Sequence, residues 1–269
     1  MKVAYQGERG AYSEIASIKY FGNNATLIPC KTLSDLFDMT DKVDYAIVPI
    51  ENSIEGSVNE ANDLLLTTNL NVIGEIYVRI IHCLISYEEN NIEDIKRVYS
   101  HPQALGQCRR FINSHGFETI PYYDTAGSVK MLASSNLKDA AAIASARAAE
   151  VYNMKIIKEG IEDDKNNYTR FIILGRDDTK PTNNDKSMII FATKHIPGTL
   201  YNVLGEFAAR NINLTMIVSR PIKGKPWEYN FYIDFEGHKD EERIKECLEN
   251  IKNKVTFFKF LGSYPKFTL

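Results

Sequence analysis

The run Tyr45-Ala46-Ile47-Val48-Pro49-Ile50 constrains the fold more than any other stretch of the chain. It is almost continuously apolar, the pattern of a strand covered on both faces, as in layered α/β domains. Polar Glu51-Asn52-Ser53-Ile54-Glu55-Gly56 follows at once, and Ser57-Val58-Asn59-Glu60 then has the spacing of a capping box at a helix start. The same succession recurs. Lys2 to Tyr5 reads as a strand, Gln6 to Gly10 as a turn, and Tyr12 to Phe21 carries apolar residues at helical spacing. Arg97-Val98-Tyr99 leads into Ser100-His101-Pro102-Gln103, a second capping-box pattern with proline in the first helical turn. Ala140 to Ser145 is a further small apolar strand, running into a helix over 146–152. Alternation of strand and helix predicts an α/β domain with a largely parallel sheet. In such sheets ligands gather at the carboxyl ends of strands and at helix N-termini, whose free amides suit anions.

A chain of 269 residues has room for about one to three domains. Its net charge of -3 offers no basic face for a phosphate backbone, so no nucleic-acid partner is expected. Cys30, Cys83, Cys108 and Cys247 form no C-x-x-C pair, which indicates neither a zinc ribbon nor a redox dithiol. Scattered, apolar-flanked cysteines fit reduced core residues and a cytoplasmic location. No stretch is long and apolar enough for a membrane helix, and the N-terminus turns polar too early for a signal peptide. Gly7 and Gly10 lack the third glycine and acidic partner of a dinucleotide fingerprint. Phosphate-loop and nucleophile-elbow motifs are missing too.

Asn166-Asn167-Tyr168-Thr169-Arg170-Phe171 reads as a loop feeding a buried strand. It sets a hydroxyl, able to donate to a leaving oxygen, beside a guanidinium shaped to hold a carboxylate. Three blocks then occur in order: Val48 to Val58, Ser100 to Leu105, and Asn167 to Phe171. Together with Tyr5-Gln6-Gly7-Glu8-Arg9-Gly10-Ala11-Tyr12-Ser13 they closely resemble the prephenate dehydratases, almost end to end.

The resemblance implies two α/β lobes like a periplasmic-binding protein, with the active site in the cleft between them. It implies a lyase that takes water and carbon dioxide from prephenate to give phenylpyruvate. Aromatisation drives that reaction, so no metal or cofactor is expected. In the family the Thr of the T-R-F motif assists departure of the hydroxyl, and the matching residue is Thr169. Asn52, Ser53, Gln103, Asn167 and Phe171 are expected around the substrate. Arg170 is expected either to hold a carboxylate or, since it points away from Thr169 and Phe171 in a regular strand, to pair with Glu51 or Glu55. Ala61-Asn62-Asp63 stands where the family usually has Thr-Leu-Asp.

The catalytic unit is expected over 1–176, with a polar, turn-rich linker over 177–186 and a second unit over 187–269. The second unit reads strand, helix, strand, strand, helix, strand, a ferredoxin-like βαββαβ order. It resembles an ACT domain, which in this family binds L-phenylalanine across a subunit interface and shuts the enzyme down. The matching residues are Gly198, Thr199, Leu200 and Tyr201 at a helix start, and Ser219, Arg220 and Pro221 beyond the second strand. The family commonly has Gly-Ala-Leu-Val and Glu-Ser-Arg-Pro; this chain has Gly-Thr-Leu-Tyr and Val-Ser-Arg-Pro. A homodimer or homotetramer is implied. Arogenate dehydratase is the close alternative, and a non-catalytic two-lobed amino-acid sensor is the alternative from a different class.

Overall fold

The computed structural model describes residues 1–268; Leu269, the last residue of the expected second unit, lies outside the described residues. The first lobe begins with β1 (Lys2–Gln6), α1 (Tyr12–Phe21), β2 (Thr26–Cys30) and α2 (Leu33–Asp38). It continues through β3 (Tyr45–Asn52), β4 (Gly56–Ser57), α3 (Asn59–Leu65) and β5 (Asn71–Arg79). The chain then crosses at residues 80–82 into a second lobe. That lobe holds β6 (Cys83–Ser86), β7 (Arg97–Ser100), α4 (Pro102–Gln107), α5 (Arg109–His115) and β8 (Glu118–Pro121). It ends with α6 (Thr125–Ala133), β9 (Ala140–Ala144), α7 (Ala146–Tyr152) and β10 (Lys155–Glu159). Residues 160–167 bring the chain back, and β11 (Tyr168–Gly175) slots between β3 and β5.

The sheet orders are β2-β1-β3-β11-β5 and β10-β6-β9-β7-β8. In the first, β1, β2, β3 and β5 run one way and β11 runs against them. In the second, β7, β8, β9 and β10 run one way and β6 runs against them. Each reversed strand is the one that has just crossed from the other lobe. The sheets are therefore largely parallel, as the alternation predicts, with one antiparallel strand each at the crossing and, in the first, the two-residue β4 set antiparallel on β3.

The third unit comprises β12 (Asp185–Ala192), α8 (Thr199–Ala209), β13 (Leu214–Pro221), β14 (Tyr229–Glu236), α9 (Glu242–Lys252) and β15 (Phe257–Pro265). Its antiparallel order β13-β14-β12-β15 is the ferredoxin-like arrangement. One face carries α8 and α9 on Ile189, Phe191, Ile233 and Phe235. The other face, with Met188, Ile190, Met216, Tyr232 and Leu261, packs on Val48, Ile50, Leu65 and Val72 of the first lobe. This layering explains two sequence patterns. Every residue of β12 is buried because helices cover one side and the first lobe the other. In β3, Val48 and Ile50 face the third unit while Ile47 faces Tyr5, Ala16 and Phe171.

Neither serine starts a helix. Ser57 lies in β4, paired with Glu51, and its hydroxyl accepts from Asn62 Nδ2 at 2.7 Å, so α3 starts at Asn59 with Val58 as its cap. Ser100 belongs to β7 and donates to the Ile143 carbonyl at 2.5 Å; the cap of α4 is His101, whose Nδ1 accepts from the Gln103 amide at 3.3 Å. In both cases strand pairing claims the serine. Among the described residues no helix is long and apolar enough to cross a membrane.

Where β15 runs beside β5, Gly262 has φ of +148°, and a Cβ there would sit 2.2 Å from the Val72 carbonyl oxygen. Both the conformation and the close approach require glycine. Gly262→Ala is expected to cost about 2–4 kcal/mol by urea denaturation. An unchanged midpoint would show that the third unit is not held this closely to β5.

Candidate active site between the lobes

A cleft of about 460 Å³ lies between the lobes. The N-terminal ends of α1 and α4 border it, β3 and β11 supply its floor, and the 80–82 crossing forms its back. Thr169, Asn52, Gln103 and Phe171, all anticipated, line it. A second recess of about 560 Å³ on the second lobe, between Asn91, Phe111 and Lys155, contains none of the anticipated residues.

Strand pairing places the central hydroxyl. Thr169 of β11 lies opposite Asn52 of β3 and Val78 of β5. The Asn52 Oδ1 accepts from the amides of Ile54 and Glu55, each at 3.0 Å, which fixes the orientation of the side chain. Its Nδ2 therefore faces Asn167 Oδ1 at 2.8 Å, Thr169 Oγ1 at 3.1 Å and the Tyr168 carbonyl at 3.2 Å. An amide nitrogen only donates, so Thr169 Oγ1 accepts there and keeps its own proton for the cleft. The site thus presents a hydroxyl donor whose oxygen is already polarised by an N–H.

Asn167 stands directly behind this pair and is fully buried. Its Nδ2 donates to Gln107 Oε1 at 2.8 Å, and His82 Nε2 lies 3.0 Å from the same oxygen. With Oε1 as acceptor, Nε2 is the protonated ring nitrogen. Tyr12 Oη lies 3.2 Å from Nδ1 and donates to the Ile81 carbonyl at 2.7 Å. Burial holds the His82 pKa below its ordinary value, so the ring is neutral at pH 7. Burial also pushes the Tyr12 hydroxyl well up. The Glu162 carboxylate accepts from the His82 amide at 2.9 Å, and the Asp163 amide donates to the Gln107 carbonyl at 2.7 Å. Both chain crossings are thereby tied to one buried network ending at Thr169.

Three anticipated residues do not line the cleft: Asn167 is buried behind it, and Ser53 and Arg170 lie elsewhere. Ser53 is exposed and fastens the loop, donating to the Asn166 carbonyl at 2.8 Å and accepting from the Tyr168 amide at 2.9 Å. Arg170 points out of the cleft and into the junction with the third unit. Its Nε donates to Glu75 at 2.7 Å, its Nη2 donates to Tyr264 Oη at 2.9 Å, and Nη2 also meets the Asp234 carboxylate. Lys186 Nζ donates to the same Glu75 at 3.0 Å. Burial alone would lower the Arg170 pKa, but the Asp234 and Glu75 carboxylates outweigh it and the group is held above its usual value. Lys186 is held below its usual value, first by burial and then by the Arg170 cation. So the guanidinium is not a cleft group, and its partners are Glu75 and Asp234 rather than Glu51 or Glu55. The reason is strand alternation: Thr169 and Phe171 face the cleft, and Arg170 faces the other way.

In the third unit, Gly198 caps α8 in the left-handed region with φ of 84°. Thr199 Oγ1 is near the carbonyls of Lys194 and Ile196, at 2.9 and 3.0 Å. Leu200 packs inward against the helix-side core, while Tyr201 is 77% exposed. Ser219 and Pro221 are exposed on β13. Arg220 makes a two-pronged pair with Asp63 of α3, at 3.0 and 2.9 Å, which holds the Asp63 carboxyl below its usual pKa.

The sequence reading missed Tyr12, Lys31, His82, Gln107 and Asp124, all in the cleft wall. They come from five separate stretches of the chain, and only the fold brings them together. Asp124 caps α6, accepting from the Gly127 amide at 2.6 Å, and burial raises its pKa. Lys31 is the one Lys or Arg side chain among the residues lining this cleft.

The family model for prephenate dehydratase matches residues 3–179, and that for the ACT domain matches residues 187–253. A prephenate dehydratase from Methanocaldococcus jannaschii is 43% identical, over 98% of this chain and 98% of its own length. An arogenate dehydratase/prephenate dehydratase from Arabidopsis thaliana is 42% identical over 98% of this chain and 73% of its own length. Among solved structures, a prephenate dehydratase from Arthrobacter aurescens in complex with L-Phe superposes with a TM-score of 0.91 at 30% identity, covering 99% of this chain and 90% of the other. A protein described as GqqA, a novel type of quorum quenching acylase, superposes with a TM-score of 0.90 at 30% identity, covering 98% of each chain.

The buried network predicts a pH response. The folded-state pKa of His82 lies below its unfolded value, so the unfolded chain binds the proton more readily. The stability His82 contributes is present above the unfolded value of about 6.5 and is lost as pH falls toward the folded one. The urea midpoint should therefore fall more between pH 7 and pH 5 for the wild type than for His82→Asn. Equal falls would show that His82 stays accessible to protons.

Proposed function

The chain belongs to the prephenate dehydratase family, and from that premise we propose that Thr169 is the proton donor of a dehydratase acting on prephenate. The observation that carries this reading is the Asn52 amide on Thr169 Oγ1 at 3.1 Å, which leaves the Thr169 proton to the cleft. As the ring C–O bond breaks, the Oγ–H proton moves to the departing oxygen and water leaves. The electron pair of the bond to the ring carboxylate enters the ring, carbon dioxide departs, and phenylpyruvate remains. One proton is consumed overall, and solvent restores it to Thr169. Negative charge that develops on Oγ1 meets the Asn52 N–H, a donor held in place before the reaction. Aromatisation supplies the driving force, so the chemistry asks for neither a metal nor a redox cofactor.

Asn167 and Gln107 position Asn52, while Phe171 and Gln103 shape the cleft around the ring. Arogenate, with an amine in place of the side-chain keto group, undergoes the same loss of water and carbon dioxide, and the Arabidopsis relative carries both activities in its name. Acyl hydrolysis is less well served. A nucleophilic hydroxyl needs a base on its proton, and among the described residues the hydrogen-bond partner of Thr169 Oγ1 is an amide donor.

The same reading assigns residues 1–176 to catalysis, 177–186 to the linker, and the chain from 187 to an ACT unit that binds L-phenylalanine and inhibits. It places the effector at Gly198 to Tyr201 and Ser219 to Pro221. A second copy would complete that site, giving a homodimer or homotetramer. Supporting this, β13 is an outer strand of its sheet with Ile217 exposed on it, and Ile196 and Tyr201 are exposed around the start of α8. The four free, buried cysteines suit a reducing cytoplasm.

Purified protein given prephenate should form phenylpyruvate, more slowly when L-phenylalanine is added. Thr169→Ala should lower kcat by about 10³-fold, with its melting temperature kept. A folded Thr169→Ala variant with near-normal turnover would remove Thr169 from the reaction.

A further inference from the structure

We propose that the first turn of α1, together with Ser13, holds the side-chain carboxylate of the substrate. The inference rests on the dehydratase reading for the identity of that substrate, and on the following geometry for the site. The α1 helix is ten residues long and its cap, Ala11, offers no side-chain acceptor. The backbone N–H groups of Tyr12, Ser13 and Glu14 have no hydrogen-bond acceptor among the described residues. Such groups at a helix start carry partial positive charge and favour an anion. Tyr12 and Ser13 line the cleft. A second observation points the same way. Ser13 is only 5% exposed and lines the cleft, and its hydroxyl has no hydrogen-bond partner among the described residues, so a donor of a largely buried residue is left for a ligand there.

Three carboxylates near the start of α1 are engaged by other groups. The Glu14 carboxylate turns back to accept from the Gly10 amide at 2.6 Å and pairs with Arg147 at 3.7 Å. Glu8 is held by Tyr123 and Lys130, each at 2.8 Å. Asp124 is engaged as the cap of α6. Lys31 adds the one full positive charge of Lys or Arg type on the cleft wall.

The chemistry selects between the two carboxylates of prephenate. The ring carboxylate gives up its charge as it departs as carbon dioxide. Strong donors there would stabilise the reactant more than the transition state and slow the reaction. The side-chain carboxylate keeps its charge from substrate to product. Donors on it strengthen both states equally, which lowers KM and leaves kcat alone. A fixed cluster of amides with a hydroxyl suits the second task.

The test is kinetic and calorimetric, on the full chain. Ser13→Ala removes one donor to a charged group and should raise KM for prephenate about tenfold. Ser13→Asp places a negative charge where a helix start tolerates it but an incoming carboxylate does not. It should raise KM at least about 100-fold, with kcat within about threefold of wild type. Phenylpyruvate retains the side-chain carboxylate and serves as the non-reacting probe; its Kd should weaken in parallel. Active wild type with KM and Kd unmoved in both variants would overturn the proposal, as would a loss confined to kcat. Wild type that binds phenylpyruvate, loses it in Ser13→Asp and never turns over prephenate would uphold the anion site and reject the dehydratase reading. Wild type that neither binds phenylpyruvate nor turns over prephenate would overturn both.

Discussion

The ion pairs of Arg170 at the junction of the first lobe and the third unit hold the rest of the structure in register. Arg170 and Lys186 supply two cations, and Glu75 and Asp234 two anions, all buried. Taking such charges out of water is costly, and removing one partner leaves an uncompensated charge. The arrangement therefore tolerates one docking of the third sheet against β5 and β11. Tyr264 and the Phe267 amide join the same cluster, at 2.9 Å to Arg170 and 3.1 Å to Glu75. One residue before Arg170, on the opposite face of β11, is Thr169. A single strand thus carries the cleft hydroxyl on one side and the anchor of the third unit on the other. Any movement of β14 or β15 acts on Arg170 directly and reaches Thr169 through one peptide unit.

The cleft is joined by two unlike sets of contacts. At the back, the 80–82 and 160–167 crossings are bonded to each other and to Gln107 through buried groups. At the front, the turn after β1 meets α6 and α7. Gly10 lies against Ala148, where a Cβ would sit 2.5 Å from Cα, and Ser145 donates to the Gly10 carbonyl at 2.5 Å. Glu8 bonds to Tyr123 and Lys130 nearby. Exposed ion pairs of that kind contribute little each, whereas the buried amide network at the back is expensive to break. The geometry keeps Thr169 fixed at the more rigid end.

Much of this was legible in the chain. Apolar Tyr45–Ile50 announced a strand covered on both faces, and the βαββαβ order of the third unit follows from period and turn residues alone. Alternation along β11 already set Arg170 against Thr169 and Phe171. Its partners were not legible, because Glu75 is about a hundred positions upstream and Asp234 lies beyond the linker. Likewise His82 and Gln107 look like an ordinary strand-edge histidine and a helical glutamine until the crossings meet. The two serine capping patterns failed for a related reason: Ser57 and Ser100 are claimed by strand pairs that only the tertiary fold creates.

Replacement of Asn52 by Asp tests the central claim most directly. Asp keeps the oxygen that caps the Ile54 and Glu55 amides but turns the N–H facing Thr169 into an acceptor. The Thr169 proton would then be drawn to residue 52 and away from the cleft. The account predicts a drop in kcat of about 10³-fold for Asn52→Asp at pH 7, with the folded structure retained. A variant that turns over prephenate at close to the wild-type rate would show that the orientation of the Thr169 hydroxyl does not govern the reaction.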